Sequence, residues 1–260
     1  MGIELHSSGS HSRASRPNAF GMISDLLVHV DPTEAGRRRL DYAISMAMAL
    51  QARLTGTHVL AEPDLPPLYK PSVLDEVVSH ETERLRELAE ASEALFRSAT
   101  RNTPVTARWR ASRGDMAREV ARQGRYADLI ILGEYEHEGS SLRRPFSLAD
   151  DVLQSGCRPI IVIPPSVGPC DASRVILAWD GSPQSARAVH DALPLLIRAD
   201  DIRVLTVLKE GKTTTWDCGH QDLIDHLTRL HAAAYARAAR AEARLKPSWT
   251  RCGGVWLTCW

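Results

Sequence analysis

Four apolar residues in succession, Leu129-Ile130-Ile131-Leu132, closed by Gly133, constrain this chain more than any other stretch. A strand without polar alternation has to be covered on both faces, which is the situation of a strand inside a parallel sheet. Its surroundings agree. Leu26 to Val30 is a short apolar run that ends in Asp31-Pro32-Thr33, a turn and cap signal. From Thr33 to Gln51, Leu40, Ile44, Ala47 and Met48 recur at helical spacing. Leu54 to Leu60 reads as a second strand, and Glu62 to Pro71, with Pro63, Pro66 and Pro67, as a loop. Asp75 to Ala99 reads as a long charged helix with Leu85, Leu88 and Leu95 on one face. Val105 to Trp109 follows as a strand, Asp115 to Gln123 as a helix, Ser147 to Leu153 as another helix, and Ile160 to Ile163 as a fifth strand stopped by Pro164-Pro165.

Strands alternating with helices imply a doubly wound, Rossmann-like α/β fold with a parallel five-stranded sheet and right-handed crossovers. Ligands of such sheets sit beyond the carboxyl ends of the strands, where the strand order reverses. The two segments that meet there are the end of the first strand, at Asp31, and the end of the fourth, at Gly133.

The pattern then restarts. Val175 to Ser182 repeats Leu26 to Thr33 at an offset of 149 residues, so that Asp180 falls on Asp31, Ser182 on Thr33 and Ala192 on Ala43. Internal repetition of one unit predicts a tandem architecture. The boundaries read as a disordered polar leader over 1–21, a first domain over 22–166, a linker over 167–173, a partial second domain over 174–229 and an atypical tail over 230–260. The second copy reads as truncated. His231 to Leu245 is rich in Ala and Arg and predicts a helix. The last fifteen residues carry no legible pattern. An abrupt change to Arg, Ala, Trp and Cys is what an out-of-frame reading of a GC-rich gene produces, with a truncated domain and a new tail as the alternative.

Composition excludes several function classes. Lys plus Arg equals Asp plus Glu, 32 each, which argues against a nucleic-acid binder and supplies no polybasic membrane anchor. The five cysteines form no Cys-x-x-Cys pair, which fits a reducing cytoplasm. Cys218, His220 and His226 match no zinc spacing, so no metal site is expected. Cys157 reads as a small core residue. No nucleophile elbow and no Walker loop occurs, so no catalytic residue is assigned.

The strand ending in Asp31, the run Ala127 to Gly133 and the closing Ser155 to Pro164 resemble the universal stress protein family. Arg174 to Leu208 resembles the start of a second such domain. The resemblance implies a stress-response or signalling module without catalysis, and ATP or another adenine nucleotide as ligand. It implies Asp31 and Val59 as nucleoside contacts, and Gly133 and Ser147 as phosphate contacts. The family's phosphate loop runs Gly, two residues, Gly, nine residues, Gly, then Ser or Thr. Here Gly133 and Ser147 fit, while Glu136 and Phe146 replace the other two glycines. Glu134, Glu136 and Glu138 put carboxylates where phosphates would lie, which predicts weak binding at most. A second reading of Asp31 is as a cap for the helix after it, with Thr33 alongside. The alternative function is a nucleotide-free interaction scaffold. The resemblance also implies a last strand, with Val162 and Ile163, that pairs across a homodimer or with the sister repeat.

Overall fold

The computed structural model describes residues 23–61, 71–134, 148–156, 158–165, 173–207, 219–230, 236–241 and 255–257. The expected leader, the proline-rich loop, Ser147, Cys157, Cys218 and the phosphate-loop positions Glu136 and Phe146 lie outside the described residues.

The first unit contains β1 (Asp25–His29), α1 (Glu34–Leu50), β2 (Arg53–Leu60), α2 (Pro71–Thr100), β3 (Ala107–Arg113), α3 (Met116–Gly124), β4 (Leu129–Gly133), α4 (Leu148–Ser155) and β5 (Ile160–Ile163). Its five strands are all parallel, in the order β3-β2-β1-β4-β5. The pleat sends alternate residues to opposite faces. Leu26, Val28, Leu129 and Ile131 pack with Leu40, Tyr42 and Met46 of α1 and Phe96 of α2. Leu27, Ile130 and Leu132 pack with Val120 of α3 and Leu148 and Val152 of α4. Two helices therefore cover each face, which is why the run 129–132 has no polar member.

Local chemistry sets the helix ends. Thr33 caps α1 by accepting the Gly36 N–H at 3.0 Å. Gln51 closes the helix in the left-handed region, its N–H reaching the carbonyls of Ala47 and Met48. Of the apolar residues spaced along α1, Leu40, Ile44 and Ala47 are buried, but Met48 is 49% exposed. Its position lies one step off the buried rows of the helix.

The second unit contains β6 (Arg174–Ala178), α5 (Pro183–Leu196), β7 (Asp201–Val207), α6 (His220–Leu230), β8 (Ala236–Ala241) and β9 (Val255–Leu257). The order β8-β7-β6-β9, again parallel, reproduces β3-β2-β1-β4 of the first unit. Within the stretch read as an atypical tail over 230–260, the described residues 236–241 and 255–257 are therefore strands of this second sheet. Of the expected helix over 231–245, the described residues Ala236–Ala241 form a strand against β7 instead. Alanine and arginine favour a helix in isolation, but the open side of β7 offers a full ladder of hydrogen bonds, and pairing overrides propensity. Val175, Leu177, Ile202 and Val204 pack on α5 and α6. The two units touch: Leu195 of α5 joins the core around Ile161 and Ile163 of β5, and Arg198 donates to the Ala49 carbonyl.

Candidate functional site

β1 and β4 are neighbours, yet the helices that follow them, α1 and α4, lie on opposite faces. The chain parts at this point and opens a crevice at the carboxyl edge of the sheet. Three of the four sequence-assigned contacts come to that edge. Asp31 lies two residues beyond β1, Val59 is the penultimate residue of β2, and Gly133 ends β4. Ser147 lies outside the described residues.

Val59 buries its side chain beside Val120 and Leu132. Its backbone direction follows from its neighbours. The Thr57 carbonyl accepts the Val30 N–H at 2.9 Å, on the β1 side, and the Leu60 carbonyl accepts the Gly114 N–H at 3.1 Å, on the β3 side. Alternation then turns the Val59 N–H and carbonyl toward β1, past the last residue of that strand and toward the crevice. At β4, the N–H of Glu134 donates to the Ile163 carbonyl at 3.2 Å, which holds the strand end beside β5.

Asp31 is engaged inside the protein. Its Oδ1 accepts the Thr33 backbone N–H at 3.0 Å and the Thr33 hydroxyl. Its Oδ2 pairs with Nη2 of Arg39, whose side chain is 3% exposed. The same guanidinium donates through Nε to the His29 carbonyl at 2.8 Å. Burial pushes the Asp31 carboxyl up, but the Arg39 charge and the Thr33 hydrogen bonds outweigh it and hold the group below its ordinary value. Thr33 is the cap of α1, so the cap reading of Asp31 needs correcting. Asp31 braces the capping residue and neutralises a buried arginine.

The second repeat provides an internal comparison. Asp180 accepts the Ser182 N–H at 2.9 Å, and Ser182 caps α5, as Thr33 caps α1. Asp180 is exposed, however, and the residue at the place of Arg39 is Ala188. The hydrogen bonds from Ser182 lower its carboxyl. The buried pair is therefore particular to the first unit.

Gly36 makes that pair sterically feasible. A Cβ built there would collide with the Asp31 carbonyl and carboxylate oxygens and come within 2.7 Å of Cγ. Gly36→Ala is expected to lose about 1–3 kcal/mol in urea unfolding, since the backbone oxygen cannot move aside. An unchanged midpoint would show that Asp31 does not fold over the first turn of α1.

Arg39, His58 and Ser92 were not found by motif reasoning. His29 and His58 are buried with rings stacked at 5.9 Å. His58 Nδ1 lies 2.9 Å from the Val30 carbonyl and 3.1 Å from Ser92 Oγ. A carbonyl can only accept, so Nδ1 carries the hydrogen. Ser92 in turn donates to the Leu88 carbonyl at 2.7 Å. A polar column thus runs beneath the crevice from α2 to α1. Among the described residues there is no group of three or more metal-ligating side chains and no helix long and apolar enough to cross a membrane.

A family model described as the universal stress protein family matches residues 22–164. No curated protein matches the chain. Among solved structures, a universal stress protein from Archaeoglobus fulgidus DSM 4304 superposes with a TM-score of 0.53 and 17% identity, over 85% of this chain and 78% of its own. A universal stress protein from Lactobacillus plantarum gives a TM-score of 0.45 and 22% identity, over 55% of this chain and 99% of its own. The first of these shows the shared fold.

Proposed function

Because the chain belongs to the universal stress protein family, we propose that it works as a cytoplasmic, non-catalytic stress-response module that binds an adenine nucleotide, such as ATP, only weakly. The site is the crevice between β1 and β4, with Asp31, Val59 and Gly133 at its edge and Ser147 as a further contact from the sequence that follows β4. Binding is weak because Asp31 is already engaged. Thr33 holds one carboxylate oxygen and Arg39 the other. A ligand hydroxyl would have to share or displace those donors. Glu134, at the mouth of the phosphate side, adds a negative charge where one is unfavourable.

Isothermal titration with ATP and AMP tests this. We expect dissociation constants near the millimolar range, about −4 kcal/mol of binding free energy. Micromolar binding would overturn the assignment of a weak site. No heat at millimolar ligand would leave the interaction scaffold as the function. That second reading has its own support, since the second unit packs Leu195 against the core beside β5. It takes the module to act through pairing of its repeats or as a homodimer. Phosphate release from ATP above that of a Gly133→Asp control would overturn the non-catalytic reading.

A further inference from the structure

β3 is the outer strand of the first sheet, and among the described residues no strand pairs with its far side. Seven residues long, it is exposed or half-buried throughout. The Thr106 carbonyl accepts from Leu54 at 3.0 Å and the Gly114 N–H donates to Leu60 at 3.1 Å, so the even-numbered residues bond to β2. The N–H and carbonyl groups of Ala107, Trp109, Ala111 and Arg113 consequently point outward.

The flanks of this edge are positive. Trp109 packs on Phe96 at 5.4 Å, which fixes one face of the strand. Ser112 accepts from Gln123 of α3 at 3.0 Å, which fixes the other. By alternation Arg113 lies on the first face and Arg108 and Arg110 on the second. Among the described residues none of these three forms an ion pair, whereas Arg84, Arg86 and Arg97 of α2 each hold a glutamate. The acids that follow β3 are already engaged. Asp115 caps α3 by accepting from Arg118 at 2.9 Å, and Glu119 is held by Arg122 at 2.7 Å.

We propose that the β3 edge takes an extended acidic peptide as an added strand. Main-chain hydrogen bonds would come from the four outward residues, and carboxylates on alternate residues of the peptide would meet the arginines. Edge arginines repel basic strands and would be desolvated without compensation by apolar ones, and an acidic strand is the class for which they become attractive. The small side chains of Ala107 and Ala111 leave space for it. A nucleic acid would use the charge but not the backbone row. It would also want an exposed aromatic platform, and Trp109 is turned onto Phe96.

Fluorescence anisotropy of the full chain with a labelled nine-residue peptide of alternating Glu and Val tests the proposal. Saturable binding is expected. The double variant Arg108→Glu, Arg110→Glu should weaken it at least about tenfold. Ala111→Pro, which removes an outward N–H and none of the donors to β2, should weaken it by about tenfold as well. If that variant melts early, the same peptide with alternate amides N-methylated on the parent protein gives the equivalent reading, with a similar loss expected. Absence of saturable binding would overturn the proposal. So would unchanged affinity of the methylated peptide, or equal affinity for a single-stranded oligonucleotide of the same charge.

Discussion

Replacing Asp31 by alanine is expected to destabilise the protein by about 3–5 kcal/mol, because it removes the carboxylate that pairs with a buried guanidinium. The Arg39 side chain is 3% exposed, and its Nη2 faces the lost carboxylate. The contact of Nε with the His29 carbonyl survives, but a carbonyl dipole supplies less than the full charge of the lost carboxylate. The second repeat supplies the control. Asp180→Ala removes an exposed carboxylate with Ala188 where Arg39 would stand, and should change stability by less than about 1 kcal/mol. The double variant Asp31→Ala, Arg39→Met should recover most of the loss, since exchanging both members of a buried pair for apolar groups is often neutral. Urea unfolding at neutral pH measures all three. The pH dependence has a fixed sign. The folded carboxyl titrates below its ordinary value of 3.8, so its stabilisation is complete above that value and disappears as pH falls through the lowered one. The gap between parent and Asp31→Ala should therefore hold across the neutral range and close only in strong acid. An Asp31→Ala protein as stable as Asp180→Ala would mean that Arg39 does not depend on this partner.

Phe96→Ala is expected to destabilise by a comparable amount, about 3–5 kcal/mol. Phe96 is 2% exposed and carries much of the contact between α2 and the sheet. Its ring lies over Gly56 of β2, where an added Cβ would meet Cδ2 at 2.5 Å and Cε2 at 2.6 Å. It also meets the Trp109 ring. Removing it opens a cavity bounded by backbone and by a second aromatic, neither of which can fill the space. Gly56→Ala alone should lose about 1–3 kcal/mol by overpacking. In the Phe96→Ala background the same methyl enters the cavity, so the second change should be neutral or stabilising. A double-mutant cycle by thermal and urea unfolding reads the coupling directly. Additive losses would show that the ring does not sit on Gly56.

The five-stranded unit could be read from residues because period and burial coincide there. Leu129 to Leu132 is apolar without interruption and is buried on both faces. β8 could not, because Ala236 to Ala241 has neither the alternation nor the side chains of a strand. Its conformation comes from β7 beside it. Among the candidate site residues, the positions of Asp31 and Gly133 at strand ends were legible, while Val59 rests on the family resemblance. Arg39 was hidden in the run Arg37-Arg38-Arg39, which looks like a solvated helix face. Two signals could have exposed it. It shares a helical row with Tyr42, Met46 and Leu50, all buried, and the repeat offset sets it against Ala188. The partners of His58 depend on α2 crossing β2 at Ser92, a tertiary fact that no local pattern encodes.

The pairing of β1 with β4 has a consequence for how the molecule assembles. Leu26 pairs with Leu129, so the two central strands are separated by roughly 100 residues of chain. β1 can zip to β2 across a short helical crossover as soon as both exist. Its other side must wait until β4 has been made, which at ribosomal speed is a delay of about 5–20 seconds. Parallel pairing over such a span is slow, because the loop must close before any contact rewards it. During that interval the apolar edge of β1 stands open on the nascent chain. The crevice can take shape only after that pairing, and β5, made later still, then adds to the outer side of β4.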